Sequence, residues 1–174
     1  MNLVGKKAPE FVENAVSGEG KFIKVSLADF RGRWVVLFFY PADFTYVCPT
    51  EIGDFSRRDK EFKELGAVVV GCSTDSRYAH REWIRGGLGQ LTHPLVADTT
   101  KRIARQYECL DENSGFAMRA TYIIDPDGDI VHAQSNIPRI GRSVDEILRV
   151  LRAAHTGELT PVDWKPGDKT LGKE

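Results

Sequence analysis

A single cysteine stands where nucleophilic chemistry is easiest to place. In the segment FFYPADFTYVCPTE, Phe38 to Glu51, Cys48 directly precedes Pro49 and closely follows the apolar run WVVLFFY. Proline suits the first turn of a helix, because its missing N–H would be unpaired there anyway. Cys48 is therefore expected as the N-cap or first-turn residue of a helix that follows a buried strand. A helix N-terminus offers unpaired N–H groups and partial positive charge, which favour thiolate over thiol. An ordinary thiol of pKa ~8.5 is only about 3% ionised at pH 7, and each unit of depression corresponds to ~1.4 kcal/mol. One helix terminus supplies on the order of one unit, and a neighbouring arginine as much again. Free cysteine is also commonly a small buried apolar residue, and position alone does not separate the two readings.

The remaining candidates carry less by themselves. Cys72 and Cys109 complete a set of three cysteines that forms neither a C-x-x-C pair nor a secreted disulfide framework. Cys72 ends the strand-like run VVVGC and reads as a small core residue. Cys109 lies in YECLDENSG, whose polar flanks suggest exposure. Thr45 alone is a loop hydroxyl, Arg119 alone a surface arginine, and Trp83 alone a packing residue. His80, His93, His132 and His155 show no metal-ligand spacing and read as structural or solvated.

The elements that must position Cys48 can be read from hydrophobic periodicity. FVENAV and KFIKVSL, joined by SGEG, predict an N-terminal hairpin. WVVLFFY lacks alternation and predicts a strand buried on both faces. Ile52, Phe55, Phe62 and Leu65 recur at helical spacing after Pro49, and Gly66 ends that helix. AVVVGCS is the next strand, which makes a βαβ unit with parallel strands. A helix is expected from Ser76 to Arg85, stopping at GGLG, then a short strand HPLVAD and a helix TTKRIARQYE. ATYIIDPDGDIVHAQS predicts a hairpin about a Pro-Asp-Gly turn; its aspartates lack the spacing and closing Glu of a calcium loop. SVDEILRVLRAAH predicts a last helix with Ser143 and Glu146 as a capping box. The βαβ unit followed by ββα gives an α/β class, a thioredoxin-like fold with insertions and a central mixed β-sheet flanked by helices. Residues 1–156 form this domain, and residues 157–174 a Pro/Gly-rich arm that is not an independent domain.

Composition sets the outer bounds. The 174 residues suffice for one domain with a real core; 41% are hydrophobic, 28% charged, and the formal net charge is −1. Lys and Arg are spread along the chain, so nucleic acid and membrane surfaces are not expected partners. No apolar run approaches the ~18 residues of a membrane span. The start MNLVGKKAPEF has no apolar core of signal-peptide type, so a reducing, cytoplasmic location is expected.

FFYPADFTYVCPTE resembles the active-site motif of the peroxiredoxins, thiol peroxidases, and in particular their typical 2-Cys, alkyl hydroperoxide reductase-like branch. Pro41, Thr45 and Cys48 stand in the family's P-x-x-x-T-x-x-C arrangement. The resemblance continues through STDSRYAHREW, GGLG, MRATYIIDPDGDI, GRSVDEILR and DWKPGDKT. It implies that Cys48 attacks a hydroperoxide and becomes a sulfenic acid, that Arg119 stabilises the negative charge, that Thr45 aligns the O–O bond, and that Pro41 shields the site. Glu51 and Arg142 are implied as supporting residues that orient Arg119. No cofactor or metal is implied. Hydrogen peroxide and organic hydroperoxides are the implied substrates, a thioredoxin-type or low-molecular-weight thiol the implied reductant, and a homodimer closing into a decamer the implied assembly, with Phe44 and Trp83 as candidate contact residues.

One departure matters. The branch carries a second, resolving cysteine in its C-terminal arm, and Thr160 in GELTPVDWKPGDKT occupies that place. An external thiol is then the first expected route for reducing the sulfenic acid, an internal disulfide with Cys109 the second, and Cys72 the last. A disulfide requires Cα atoms within about 7 Å. GGLG is present without the family's C-terminal YF segment, which leaves sensitivity to over-oxidation open. A peroxide sensor or oxidation-switched chaperone of the same fold is the alternative function, and a thioredoxin-like disulfide oxidoreductase is disfavoured by the lack of C-x-x-C.

Overall fold

The computed structural model describes residues 3–173. Its strands are β1 (Val12–Val16), β2 (Phe22–Ser26), β3 (Trp34–Phe39), β4 (Ala67–Ser73), β5 (Leu95–Ala97), β6 (Arg119–Ile124) and β7 (Ile130–Asn136). They form one mixed sheet in the order β2-β1-β5-β4-β3-β6-β7. β3, β4 and β5 run parallel, and the remaining pairs are antiparallel. Both expected hairpins, the parallel βαβ unit and the α/β thioredoxin-like layout are present.

Side chains alternate across a strand, and β3 divides the core accordingly. Val35, Leu37 and Phe39 enter one buried cluster; Val36 and Phe38, continued by Tyr40, enter the other. The second cluster also holds Cys48, Ile52, Phe55 and Phe62, together with Ile147, Leu148 and Leu151 of the last helix. Cys72 and Cys109 belong to the first. The central sheet therefore separates Cys48 from both other thiols.

The helix expected from Pro49 to Leu65 is two helices, α1 (Cys48–Arg57) and α2 (Asp59–Glu64), broken at Arg58 with φ −98° and ψ 13°. Seven residues of straight helix separate side chains by about 10 Å. Here the Phe55 and Phe62 rings are 5.8 Å apart, so the break keeps both in the core.

Helix α3 (Arg77–Trp83) is capped by Ser76 and does not stop at the first glycine. It continues as a wide turn over Ile84–Leu88, in which the Gly89 N–H donates to the Ile84 carbonyl. A Cβ at Gly87 would come within 3.1 Å of the Trp83 ring, so glycine there lets the turn pack closely on the indole. The TTKRIARQYE helix is shorter than expected, α4 (Arg102–Gln106), because Lys101 is left-handed and the Asp98 carboxylate accepts the Ala104 N–H.

Helix α5 (Val144–Thr156) has the Ser143 cap, but the Glu146 carboxylate pairs with Arg149 rather than closing a capping box. Beyond it the arm folds back on itself through Leu159 and Leu171. Trp164 is buried, and its carbonyl accepts from Arg149.

Candidate active site

β3 ends in the loop 40–47, and α1 begins at Cys48 itself, with Pro49 second. The first-turn placement expected of Cys48 is met. The thiol is fully buried, on the sheet face covered by α1 and α5, between the loop and the start of β6.

Arg119 opens β6 and is 3% exposed. Its Nη1 lies 3.4 Å from Cys48 Sγ and 2.7 Å from Glu51 Oε2, while Nε donates to the Pro138 carbonyl at 2.7 Å. Glu51, one helical turn beyond Cys48, receives a second arginine. The Arg142 backbone N–H and Nε donate to Glu51 Oε1 at 2.8 and 3.1 Å, and Nη2 reaches Oε2 at 3.3 Å. Arg142 also donates to the carbonyls of Ala120 and Phe39 and to the Thr121 hydroxyl. Burial pulls the Arg142 pKa down, and Glu51 opposes that shift.

The arrangement has an electrostatic consequence. Two guanidinium groups and one carboxylate leave one positive charge in excess, in a region where buried charges need partners. A thiolate at Cys48 neutralises that surplus. Arg119 and Arg142 are oriented by backbone carbonyls, the Thr121 hydroxyl and Glu51, so they need little reorganisation when negative charge develops beside them.

Pro41 is buried at the base of the loop and Thr45 is exposed at its outer side. The Thr45 hydroxyl donates to the Ala42 carbonyl at 2.9 Å, which leaves its lone pairs to accept a further hydrogen bond.

Cys109 does not have the exposure expected of it. It is 3% exposed, in the cluster on the far face of the sheet, and burial drives its thiol pKa far up. Its polar flanks misled because Glu108, at φ 53°, turns the chain so that they point outward while the thiol points in. Cys72 is likewise buried, with its pKa raised by desolvation. All three cysteines are free.

Sequence reading also passed over Asp43. This residue is 8% exposed in the loop beside Cys48 and is bonded to Tyr40 and His80. The available signal was one acidic residue inside an otherwise uncharged stretch, PADFTYV, together with a histidine on a helix that packs against it.

Comparison with known proteins agrees with this geometry. Residues 4–133 match the model of the AhpC/TSA family. Over 173 residues the chain is 47% identical to "Thioredoxin peroxidase" of Trypanosoma brucei rhodesiense, covering 94% of this chain and 87% of that protein. It superposes on the reduced 2-Cys peroxiredoxin of Plasmodium vivax with a TM-score of 0.94 at 39% identity, covering 98% of this chain and 93% of that one. For AhpC of Enterococcus faecalis the TM-score is 0.86 at 40% identity, with 90% and 94% covered.

Proposed function

The chain belongs to the AhpC/TSA family of peroxiredoxins, thiol-dependent peroxidases, and from that premise we propose that Cys48 is its peroxide-attacking residue and that an external thiol restores it. The observation that carries this is the 3.4 Å approach of Arg119 to the Cys48 sulfur inside a buried cluster whose one carboxylate, Glu51, is shared by two arginines.

The thiolate attacks one peroxide oxygen in line with the O–O bond. An S–O bond forms as the O–O bond breaks, sulfur gives up two electrons, and the departing oxygen leaves as water or an alcohol after protonation. Arg119 stabilises the charge that builds on the oxygens, and the Thr45 hydroxyl aligns the peroxide. Pro41 fixes the loop and covers the site. Glu51 and Arg142 hold Arg119 in place. Hydrogen peroxide and organic hydroperoxides are the proposed substrates.

Thr160 cannot attack a sulfenic acid, and Cys109 is buried across the sheet. A first external thiol therefore condenses with the Cys48 sulfenic acid to release water, and a second reduces the mixed disulfide. A thioredoxin-type protein or a low-molecular-weight thiol fills that role. Residues 157–174 act as an arm rather than an independent domain, and we place the protein in the cytoplasm as a homodimer that can close into a decamer.

Turnover under excess peroxide with a thiol reductant tests the reading. Repeated consumption of peroxide, lost in Cys48→Ser, supports it. Consumption that stops after one equivalent would make the protein a sensor or an oxidation-switched chaperone instead.

A further inference from the structure

We infer that Asp43 and His80 are positioning residues for the Cys48 reaction, a buried charged clasp that holds the loop between Pro41 and Cys48 in its reactive shape. The inference rests on the peroxidase reading above.

His80 lies on α3, fully buried. Its Nδ1 is 2.7 Å from Asp43 Oδ2, and its Nε2 is 3.2 Å from the Val96 carbonyl oxygen on β5. A carbonyl oxygen can only accept, so Nε2 carries a proton. The Nδ1–Oδ2 line must hold a second proton, because two lone pairs cannot face each other at that distance. The other Asp43 oxygen accepts the Tyr40 hydroxyl at 2.8 Å, so the carboxyl group faces a donor on each oxygen, the pattern of an acceptor-only carboxylate. The pair is therefore imidazolium and carboxylate, neutral overall and closed to water.

The clasp holds the loop from several sides. The Asp43 backbone N–H donates to Asp75 Oδ2 at 2.8 Å, and its carboxylate is shared between Tyr40, at the end of β3, and His80 on α3. The next residue, Phe44, sits at φ 55°, a left-handed conformation that a bulky L side chain keeps only when its surroundings enforce it. Its ring rests on Trp83, 5.7 Å between centroids and three residues beyond His80 on the same helix. Thr45 follows immediately. Asp43 thus stands two residues from both Pro41 and Thr45, and its fixation sets where the Thr45 hydroxyl meets a peroxide approaching Cys48.

The test combines a spectrum with two rates. A side-chain 15N–1H correlation spectrum at pH 7 should show both ring nitrogens of His80 protonated. His80→Ala and Asp43→Ala should lower the rate constant for Cys48 oxidation by hydrogen peroxide at least about tenfold, because alignment of the reacting atoms is lost. Alkylation of Cys48 by iodoacetamide, which needs no Thr45, should stay within about twofold of wild type by the same reasoning. Asp43→Asn can still accept from Tyr40 and can donate to a neutral His80 ring, so it should regain most of the lost rate and show His80 singly protonated. A singly protonated His80 in the wild type, alanine variants that oxidise at the wild-type rate, or equal losses towards peroxide and iodoacetamide would each overturn the clasp. Should the alanine variants not fold, the wild-type and Asp43→Asn spectra decide. A wild-type Cys48 inert to peroxide would instead bring down the proposed function, with the His80 spectrum still readable.

Discussion

Arg119 meets Cys48 through a nitrogen that it also gives to Glu51. Nη1 stands 2.7 Å from the carboxylate and 3.4 Å from the sulfur, and Nε is tied to the Pro138 carbonyl. The cation is therefore aimed before any peroxide arrives, and its orientation depends on a carboxylate one helical turn from the nucleophile. That dependence makes the two residues separable by mutation.

Arg119→Met should slow Cys48 oxidation by about 10²–10³-fold, the loss typical of removing one donor from a developing oxyanion. Glu51→Gln keeps Arg119 but loosens its aim, so the rate loss should be smaller. It also leaves Arg142 buried without its carboxylate, so the stability loss should be larger, about 3–5 kcal/mol. Stopped-flow oxidation and urea unfolding of both variants check this opposite ranking.

Cys72→Ala and Cys109→Ala should leave thiol-supported peroxide turnover within about twofold of wild type, because both thiols are buried away from Cys48 and their raised pKa values suppress the reactive thiolate. Steady-state assays with dithiothreitol are sufficient. A tenfold fall in turnover, with Cys48 accumulating in an oxidised form, would restore one of them as a resolving residue.

Much of the frame around Cys48 was legible because it depends on local signals. The unbroken apolar run Trp34–Tyr40 predicts a strand buried on both faces, and Pro49 after Cys48 predicts a helix start. Contacts made by folding were not legible. Arg119 lies 68 positions from Glu51, and only the family resemblance, not spacing, paired them. His80 read as structural or solvated because Asp43 and Val96, which give its nitrogens their partners, lie on other elements. The helix break at Arg58 escaped because Ile52, Phe55, Phe62 and Leu65 keep helical spacing across it.

His93 should make the fold acid-sensitive. Its ring is buried against Phe38 and Phe55, and burial lowers its pKa from 6.5 to about 4. Ser56 Oγ accepts from the Thr92 N–H and lies 3.3 Å from His93 Nδ1, while Nε2 is buried without a hydrogen-bond partner among the described residues. Between those pKa values the unfolded chain binds the proton and the folded chain does not, so stability is intact above pH 6.5 and falls as pH drops towards 4. The loss is at most about 3 kcal/mol. Urea unfolding across pH 4–7 should show that slope, and His93→Gln should flatten it.

Thr160→Cys should convert the reductive half of the cycle. A thiol at that position of the arm is expected to capture the Cys48 sulfenic acid of a second subunit. Peroxide should then produce a reducible dimer on a non-reducing gel, and the double variant with Cys48→Ser should not. A variant that oxidises but stays monomeric on the gel would argue against the proposed homodimer.

The central claim is that Cys48 alone takes the oxidising equivalent and awaits an outside thiol. One equivalent of hydrogen peroxide added to the reduced protein, followed by thiol blocking and non-reducing peptide mass analysis, tests it most directly. The expected result is the loss of one thiol per chain, with Cys48 trapped as a sulfenic acid and Cys72 and Cys109 still blocked as free thiols. A Cys48 that stays fully reduced, or one found linked to Cys109, would contradict it.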